Sequence, residues 1–321
     1  MRRSGTHRAP RSWSGVRPAG PAAQSYPPPV AEAHGGGPAG GGELIPPWLV
    51  RGLELARSRL RGDAPVDEFG FDRELTETVL AAPLRPLVEH WFRVDVRGLE
   101  HVPGTGGALV AANHSGTLPV DALVTQVVLL DRHPAHRPLR LLAGDLVFEL
   151  PLLGSLARRS GATLARREDA ERLLAHGELV GVFPEGYKGL GKPWAERYQL
   201  RRFGRGGFVA SALRTGRPIV PCAIVGAEEI YPMIADAAPL ARLLGLPYFP
   251  VTPTFPWLGP LGLVPLPSKW LIEFLPAVQT AGYGPEAADD PGLVAELTAR
   301  VRDAVAESLA RLLDERGPAF G

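Results

Sequence analysis

The chain has 321 residues, of which 45% are hydrophobic, and its formal net charge is +1. This length allows one large domain with appendages, and the composition is that of an ordinary globular protein. The near-neutral charge gives no support for nucleic-acid binding. A single cysteine, Cys222, excludes an internal disulfide and a multi-cysteine metal site. The eight histidines lack metal-ligand spacing, so we expect no metal.

The first part of the chain predicts a tail followed by helices. Residues 1–44 are rich in Pro, Gly, Ala and Ser and should be disordered. Residues 45–92 should form a helical segment. Within it, residues 46–62 predict a basic amphipathic helix with Trp48, suited either to a membrane interface or to packing on the domain. A second helix, Leu75 to Phe92, is expected to break near Pro83 and Pro86.

No stretch approaches the ~18 apolar residues that a membrane span requires. Met1-Arg2-Arg3 is not followed by the apolar segment of an export signal. We therefore expect a cytoplasmic protein.

Residues 93–316 alternate short apolar strands with amphipathic helices, which predicts an α/β domain. The predicted strands are Arg93 to Val96, Ala108 to Ala112, Leu139 to Ala143, Thr163 to Ala165, Leu179 to Phe183, Ile219 to Val225 and Trp270 to Leu275. The predicted helices are Val120 to Leu130, Glu168 to His176, Arg205 to Thr215 and Gly292 to Glu315.

An insertion over residues 231–267 separates the last two predicted strands. Its proline density argues against any helix. An apolar loop that contains Trp257 must be buried or must meet lipid, and the sequence leaves both readings open.

Two polar strings follow predicted strands. Asn113-His114-Ser-Gly-Thr-Leu-Pro-Val-Asp121 comes after Ala108 to Ala112, and Phe183-Pro-Glu-Gly186 ends the strand from Leu179. Strands of an α/β sheet that end in polar loops form one crevice at their carboxyl ends. A histidine there with a carboxylate nearby has the geometry of a general base and its orienting partner.

These strings, in this order and spacing, resemble the lysophosphatidate acyltransferase superfamily of glycerolipid acyltransferases. The family motifs are Asn-His-x4-Asp and Phe-Pro-Glu-Gly-Ser/Thr-Arg. Two weaker elements of the resemblance are Gly161 to Glu168, where the family places a strand ending in arginine, and Arg217 to Gly226, an apolar strand with an internal proline. The resemblance implies a mixed sheet flanked by helices.

This chain departs from the family pattern in both motifs. The family aspartate lies five residues after the histidine, where this chain has Pro119; the first carboxylate is Asp121. We predict that a bulge at Gly116 and Pro119 returns Asp121 to the His114 ring, with Asp145 as the reserve. In the second motif Tyr187 replaces the small hydroxyl residue. Lys188 replaces arginine, which loses the two-pronged fork.

The resemblance implies acyl transfer from acyl-CoA, or an acyl carrier protein, to a hydroxyl of a glycerolipid: lysophosphatidate, another lysophospholipid or diacylglycerol. It implies catalysis by His114 and Asp121, with no cofactor beyond the co-substrate. Substrate contacts are expected from Asn113, Arg167 (or Arg166), Glu185 and Gly186. The rival interpretation is an inactive lipid-binding module of the same fold.

Six cations that could hold phosphate follow Phe183-Pro-Glu-Gly186: Lys188, Lys192, Arg197, Arg201, Arg202 and Arg205. Lys188 and Arg205 are the chief candidates. The alternative is a solvated basic loop. The predicted setting is peripheral, on the inner face of the membrane, through the Trp48 helix, the Trp257 loop or both.

Overall fold

The computed structural model describes residues 66–149 and 153–319, together with residues 50, 52, 54, 55 and 57. Those five residues are helical, in agreement with the prediction for residues 46–62. The other residues of that predicted helix, and the predicted tail over residues 1–44, lie outside the described residues.

A seven-stranded sheet, in the order β1-β9-β6-β2-β5-β3-β4, forms the centre of the domain. Its neighbours pair in parallel except β6 and β9, which are antiparallel, so the sheet is mixed as predicted. The strands β7 and β8 pair separately. The strand bounds are β1 Asp95–Arg97, β2 Ala108–Ala112, β3 Leu139–Ala143, β4 Thr163–Leu164, β5 Leu179–Val182, β6 Ile219–Val225, β7 Ala235–Asp236, β8 Pro250–Val251 and β9 Leu271–Phe274.

Helices connect these strands and cover the sheet. The α-helices are α1 Arg73–Leu75, α2 Ala81–Pro86, α3 Val120–Arg132, α4 Asp145–Glu149, α5 Leu153–Arg159, α6 Arg167–Ala175, α7 Tyr187–Leu190, α8 Gly207–Thr215, α9 Ala238–Leu244 and α10 Pro291–Arg316. Two π-helical segments are Thr76–Leu80 and Leu87–Trp91. Short 3-10 turns are Leu99–His101, Trp194–Glu196, Ala227–Glu229, Gly259–Leu263 and Pro285–Asp289.

Strand β2 shows why the domain has three layers. Every residue of β2 is buried, because side chains of successive strand residues point to opposite faces and both faces are covered. Val110 belongs to the core cluster that contains Val127 of α3. Leu109 belongs to the other cluster, with Val209 of α8 and Val305 of α10. The central position of β2 fixes the loop that follows it.

The helix predicted over Leu75 to Phe92 was expected to break at its prolines, and this is wrong. Helical structure runs from Arg73 to Trp91, with π-helical turns on both sides of α2. In those turns the Ala81 N–H donates to Thr76 and the Phe92 N–H donates to Leu87. The wider i to i−5 pairing lets the chain continue past residues that lack an N–H.

The expectation that residues 231–267 exclude any helix is also wrong. Helix α9 lies within this insertion, with Pro239 in its first turn. A proline there costs no hydrogen bond, because the first-turn N–H groups have no partner within the helix. Gly245, in the left-handed region at φ 68°, ends the helix. The predicted start of helix Arg205 to Thr215 is two residues early, since α8 begins at Gly207.

Candidate active site

The loop from Asn113 to Pro119 joins the end of β2 to the start of α3 at the middle of the sheet. His114 stands at the strand end, and Asp121 lies in the first turn of α3. The two anchoring elements are packed in the core, so the positions of both side chains are set by the fold.

The His114 ring and the Asp121 carboxylate are in direct contact. The Nδ1–H of His114 donates to Asp121 Oδ2 at 2.8 Å. The same oxygen accepts the Ser115 backbone N–H at 2.8 Å, and the other oxygen accepts that of Ala122 at 2.8 Å. The prediction that Asp121 reaches the ring is therefore confirmed, and Asp145, exposed at the start of α4, is not needed in that role.

The second ring nitrogen of His114 is free to do chemistry. A proton held on Nδ1 by the carboxylate leaves a lone pair on Nε2, which has no hydrogen-bond partner among the described residues. The ring packs on Phe183 at 4.5 Å between centroids and retains 10% exposure. Such a histidine is oriented by a buried acid, shielded on one face and open at one nitrogen, as a general base requires.

A left-handed bulge accounts for the longer spacing between the two residues. Gly116 has φ 95° and Thr117 has φ 66°. For a β-branched residue this conformation is strained, at a cost on the order of 1–3 kcal/mol. The Thr117 hydroxyl donates to the Tyr231 carbonyl at 3.1 Å, and the Tyr248 hydroxyl donates to the Thr117 carbonyl. Contacts from the insertion thus hold the bulge in place.

Glu185 and Asn113 bond to the framework of the site. Glu185 Oε1 accepts the His114 backbone N–H at 2.9 Å, and Oε2 accepts the Arg201 backbone N–H at 2.6 Å. The Asn113 amide donates to the Ile224 carbonyl at 3.0 Å and accepts the Ile224 N–H at 2.7 Å. Both side chains are buried, and they join the loop to the turn after β5 and to β6. Their expected substrate contacts remain predictions.

The rest of the second motif faces outward. Gly186 has φ 56° and open space where a side chain would stand, and Lys188 is exposed. The Tyr187 ring lies against Gly144, where a Cβ would approach its hydroxyl to 2.5 Å. Burial raises the pKa of Tyr187. Tyrosine in place of a small residue therefore fills the space beside the glycine that precedes α4.

In the structure Arg167 does not lie beside His114. It follows edge strand β4, which β5 and β3 separate from β2 by roughly 14 Å across the sheet. Its guanidinium lies 3.7 Å from Glu168 and 3.8 Å from Glu171, both on its own helix. Arg166, the alternative, is the residue before α6. A substrate contact for either arginine remains a prediction.

The six cations predicted as a cluster have different environments. Lys192 is buried, Arg197 stacks on Trp194 at 4.4 Å, and Arg201 is paired with Glu196. Lys188, Arg202 and Arg205 are exposed, without an ion pair to any described residue. Arg197 is exposed too and has no ion pair to a described residue, so this segment offers four exposed cations to a phosphate, not six.

Sequence reasoning missed Glu228, the buried partner of Lys192. The Lys192 ammonium donates to Glu228 Oε1 at 3.0 Å. Burial raises the pKa of Glu228 to about 7, against the opposing effect of Lys192. A usable signal was present, because Ala227-Glu-Glu229 follows β6 just as the Phe-Pro-Glu-Gly string follows β5.

Comparison with known proteins finds a family match for the part of the chain that holds His114 and Asp121. The family model named Acyltransferase matches residues 93–225, a range that contains the loop from Asn113 to Pro119, the His114–Asp121 pair and the turn after β5. Residues 93–225 are therefore similar to this acyltransferase family, which agrees with the resemblance of the motifs to glycerolipid acyltransferases.

Mycobacterial proteins share much of the sequence. Over 264 residues the chain is 57% identical to an uncharacterized protein of Mycobacterium tuberculosis, with 82% of this chain and 74% of the relative covered. A protein of Mycobacterium leprae, also described as uncharacterized, is 56% identical over 264 residues, covering 82% of this chain and 72% of that protein.

A solved structure shares the fold. The crystal structure of the 1-acyl-sn-glycerophosphate (LPA) acyltransferase PlsC from Thermotoga maritima matches with a TM-score of 0.50 and 20% identity. The match covers 83% of this chain and 90% of that chain. Among the helices of the described residues, none is both long and apolar enough to cross a bilayer.

Proposed function

We propose that the protein transfers a fatty acyl chain from a thioester, acyl-CoA or acyl carrier protein, to a hydroxyl of a glycerolipid acceptor. The observation that carries this proposal is the 2.8 Å contact between His114 Nδ1 and the buried carboxylate of Asp121. It leaves Nε2 as the atom that can accept a proton at the carboxyl end of the sheet.

In the proposed reaction His114 Nε2 takes the proton of the acceptor hydroxyl as its oxygen attacks the thioester carbonyl. The tetrahedral intermediate then collapses and breaks the carbon–sulfur bond. The imidazolium returns the proton to the leaving thiolate, so an ester and a free thiol are formed and no group on the enzyme changes. Asp121 stabilises the imidazolium while the proton is held.

The rival interpretation, an inactive lipid-binding module, rested partly on the displaced aspartate. The contact between His114 and Asp121 removes that ground, since the bulge at Gly116 and Thr117 compensates for the added residues. The exposed cations Lys188 and Arg205 support an acceptor or donor that carries phosphate.

The proposed setting is the surface of the inner membrane leaflet, with the protein itself in the cytoplasm. We define the insertion surface as the exposed large apolar side chains between residues 234 and 264: Ile234, Leu240, Leu243, Leu244, Trp257, Leu258, Leu261, Leu263 and Val264. Trp257 is 70% exposed and Leu243 is 80% exposed. An exposed apolar surface with a tryptophan suits the lipid interface, which supports peripheral binding. The Trp48 helix, also predicted to bind membrane, lies largely outside the described residues.

The test of the proposed function is thioester turnover with one radiolabelled acyl-CoA and a panel of acceptors: lysophosphatidate, other lysophospholipids and diacylglycerol. We expect one acceptor class to be labelled. We expect His114→Ala to lower turnover by about 100-fold or more, the scale of a lost general base. His90→Ala is the matched control, because the His90 side chain is 81% exposed and, among the described residues, its ring lies within ion-pair distance of Glu89 alone.

Wild-type protein that labels none of the acceptors, with either acyl-CoA or acyl carrier protein as donor, would contradict the enzyme reading and favour the lipid-binding module. A folded His114→Ala variant with the turnover of the His90→Ala control would contradict the role of His114.

A further inference from the structure

One lysine and two glutamates lie together behind the His114 loop. Lys192 Nζ is 3.0 Å from Glu228 Oε1 and 3.6 Å from Glu185 Oε2. The three side chains are 2%, 6% and 0% exposed, respectively. We call these three residues the buried charge cluster. It is separate from the His114–Asp121 pair, and none of its members is needed for the proton transfer itself.

Two contacts connect the buried charge cluster to the loop. Glu185 accepts the backbone N–H of His114 at 2.9 Å. Glu228 lies in the turn Ala227–Glu229, and the Ala227 carbonyl oxygen is so close to Gly116 that a Cβ there would lie 2.7 Å from it. Lys192 therefore bridges an acid that holds the start of the loop and an acid whose turn supports its bulge.

The cluster has one cation for two carboxylates. Burial raises the pKa of Glu228, the charge of Glu185 raises it further, and Lys192 lowers it. Without Lys192 the two buried acids would repel each other unless one took up a proton. A buried ion pair generally adds little stability over well-packed apolar residues, so stability alone does not account for the cluster.

We propose that Lys192 is a positioning residue for the reaction, which holds Glu185 and Glu228 together and so keeps the His114 main chain aligned for contact with Asp121. This inference rests on the proposed function of His114 as the base. It predicts that Lys192 acts through charge, by neutralising the pair of acids.

The test compares Lys192→Met with the double variant Lys192→Met, Glu228→Gln. We expect the single variant to lower kcat by about 10- to 100-fold with little change in KM, as for an interaction that matters in the transition state only. The double variant should recover much of this loss, because it leaves a single buried carboxylate. Val305→Ala is the control for lost stability, since Val305 is fully buried on α10, in the core on the face of the sheet opposite α3.

A second readout does not depend on turnover. In protein labelled with 15N-histidine, the signal of the His114 Nδ1 proton, assigned by its loss in His114→Gln, reports the bond to Asp121. We expect this signal in the wild type and in Val305→Ala, its shift or loss in Lys192→Met, and its return in the double variant. If Lys192→Met does not fold, we compare Glu228→Gln with the double variant instead. Replacing Lys192 when Glu228 is already Gln should then lower kcat and change the His114 signal only slightly.

Wild-type kcat and a wild-type spectrum in Lys192→Met would overturn the proposal. A double variant as impaired as the single variant in both readouts would also overturn it, because charge neutralisation would then not be the cause. If no acyl transfer is found in the wild type, the histidine spectrum still decides the positioning contact, so the two failures are distinguishable.

Discussion

The His114–Asp121 pair and the Lys192–Glu228 pair have similar short contacts, at 2.8 and 3.0 Å, but their basic groups differ in the number of acidic partners. His114 retains 10% exposure and an unbonded Nε2 within the described part of the chain, whereas the Lys192 side chain is 2% exposed and lies between two acids. A buried acid that leaves its partner one free atom prepares that partner for chemistry. A buried acid whose basic partner lies between two carboxylates stabilises the arrangement of the surrounding chain.

The largest expected effect comes from changing the acid of the first pair. Asp121→Asn keeps the shape but allows an amide N–H to face Nδ1, which favours the tautomer with a proton on Nε2 and removes the basic lone pair. We expect kcat to fall by about 10²- to 10⁴-fold. Acyl-transfer kinetics on folded protein measure it, with Asp131→Asn as control because Asp131 lies on the same helix and is paired with Arg85 at its partly exposed end. Equal kinetics for the two variants would remove the distinction between the pairs.

The next largest effect is on stability, through the acid of the second pair. Because burial raises the pKa of Glu228 from 4.5 to about 7, the folded state binds this proton more tightly than the unfolded chain. The stabilisation is fully present below pH 4.5 and is lost as the pH rises through about 7. The Glu228→Gln side chain is neutral at every pH in this range, so the variant should be more stable than the wild type at pH 8, by up to about 3 kcal/mol.

Urea unfolding at several pH values measures that difference, which should shrink toward pH 5. A difference that is constant from pH 5 to pH 8 would show that Glu228 does not titrate in this range.

The smallest expected effect separates the chemistry of the His114–Asp121 pair from membrane binding by the insertion surface. Trp257→Ser with Leu261→Ser removes two side chains that are 70% and 71% exposed. We expect vesicle binding to weaken by about tenfold, equivalent to 1.4 kcal/mol of lost apolar burial. Turnover of a short-chain, water-soluble substrate should be unchanged. Flotation with anionic vesicles at low salt measures binding, and Tyr283→Ser, an exposed aromatic outside this surface, is the control. Wild-type protein that does not float would reject the membrane proposal.

The central strands of the sheet were predictable because they are buried and largely apolar. Strands β2, β3 and β6 have the predicted bounds, since each is a short apolar stretch that ends at a polar residue or a glycine. The helix through Pro83 and Pro86 was not predictable from proline rules, because those rules leave out the i to i−5 pairing that lets the helix continue past both residues. Helix α9 was missed for a simpler reason: proline density was counted without regard to position in the first turn.

The candidate site was predictable where a residue's role depends on a strand end. His114 and Asp121 meet as expected because β2 and α3 fix them. The basic segment was not predictable, since the sequence does not tell an exposed lysine such as Lys188 from a buried one such as Lys192. Lys192 is buried beside Glu228, which lies far along the chain in the turn after β6, so the contact between them cannot be read from the segment itself.

The left-handed turn at Gly116 and Thr117 bears on how such enzymes are found in genomes. A search string that requires a fixed count between histidine and aspartate would pass over this chain. Strand β2 and helix α3 hold His114 and Asp121 in place, so the loop between these two elements can be longer while the two side chains remain in contact. Surveys that score the strand end and the helix start, and leave the gap variable, should recover further members with altered spacing.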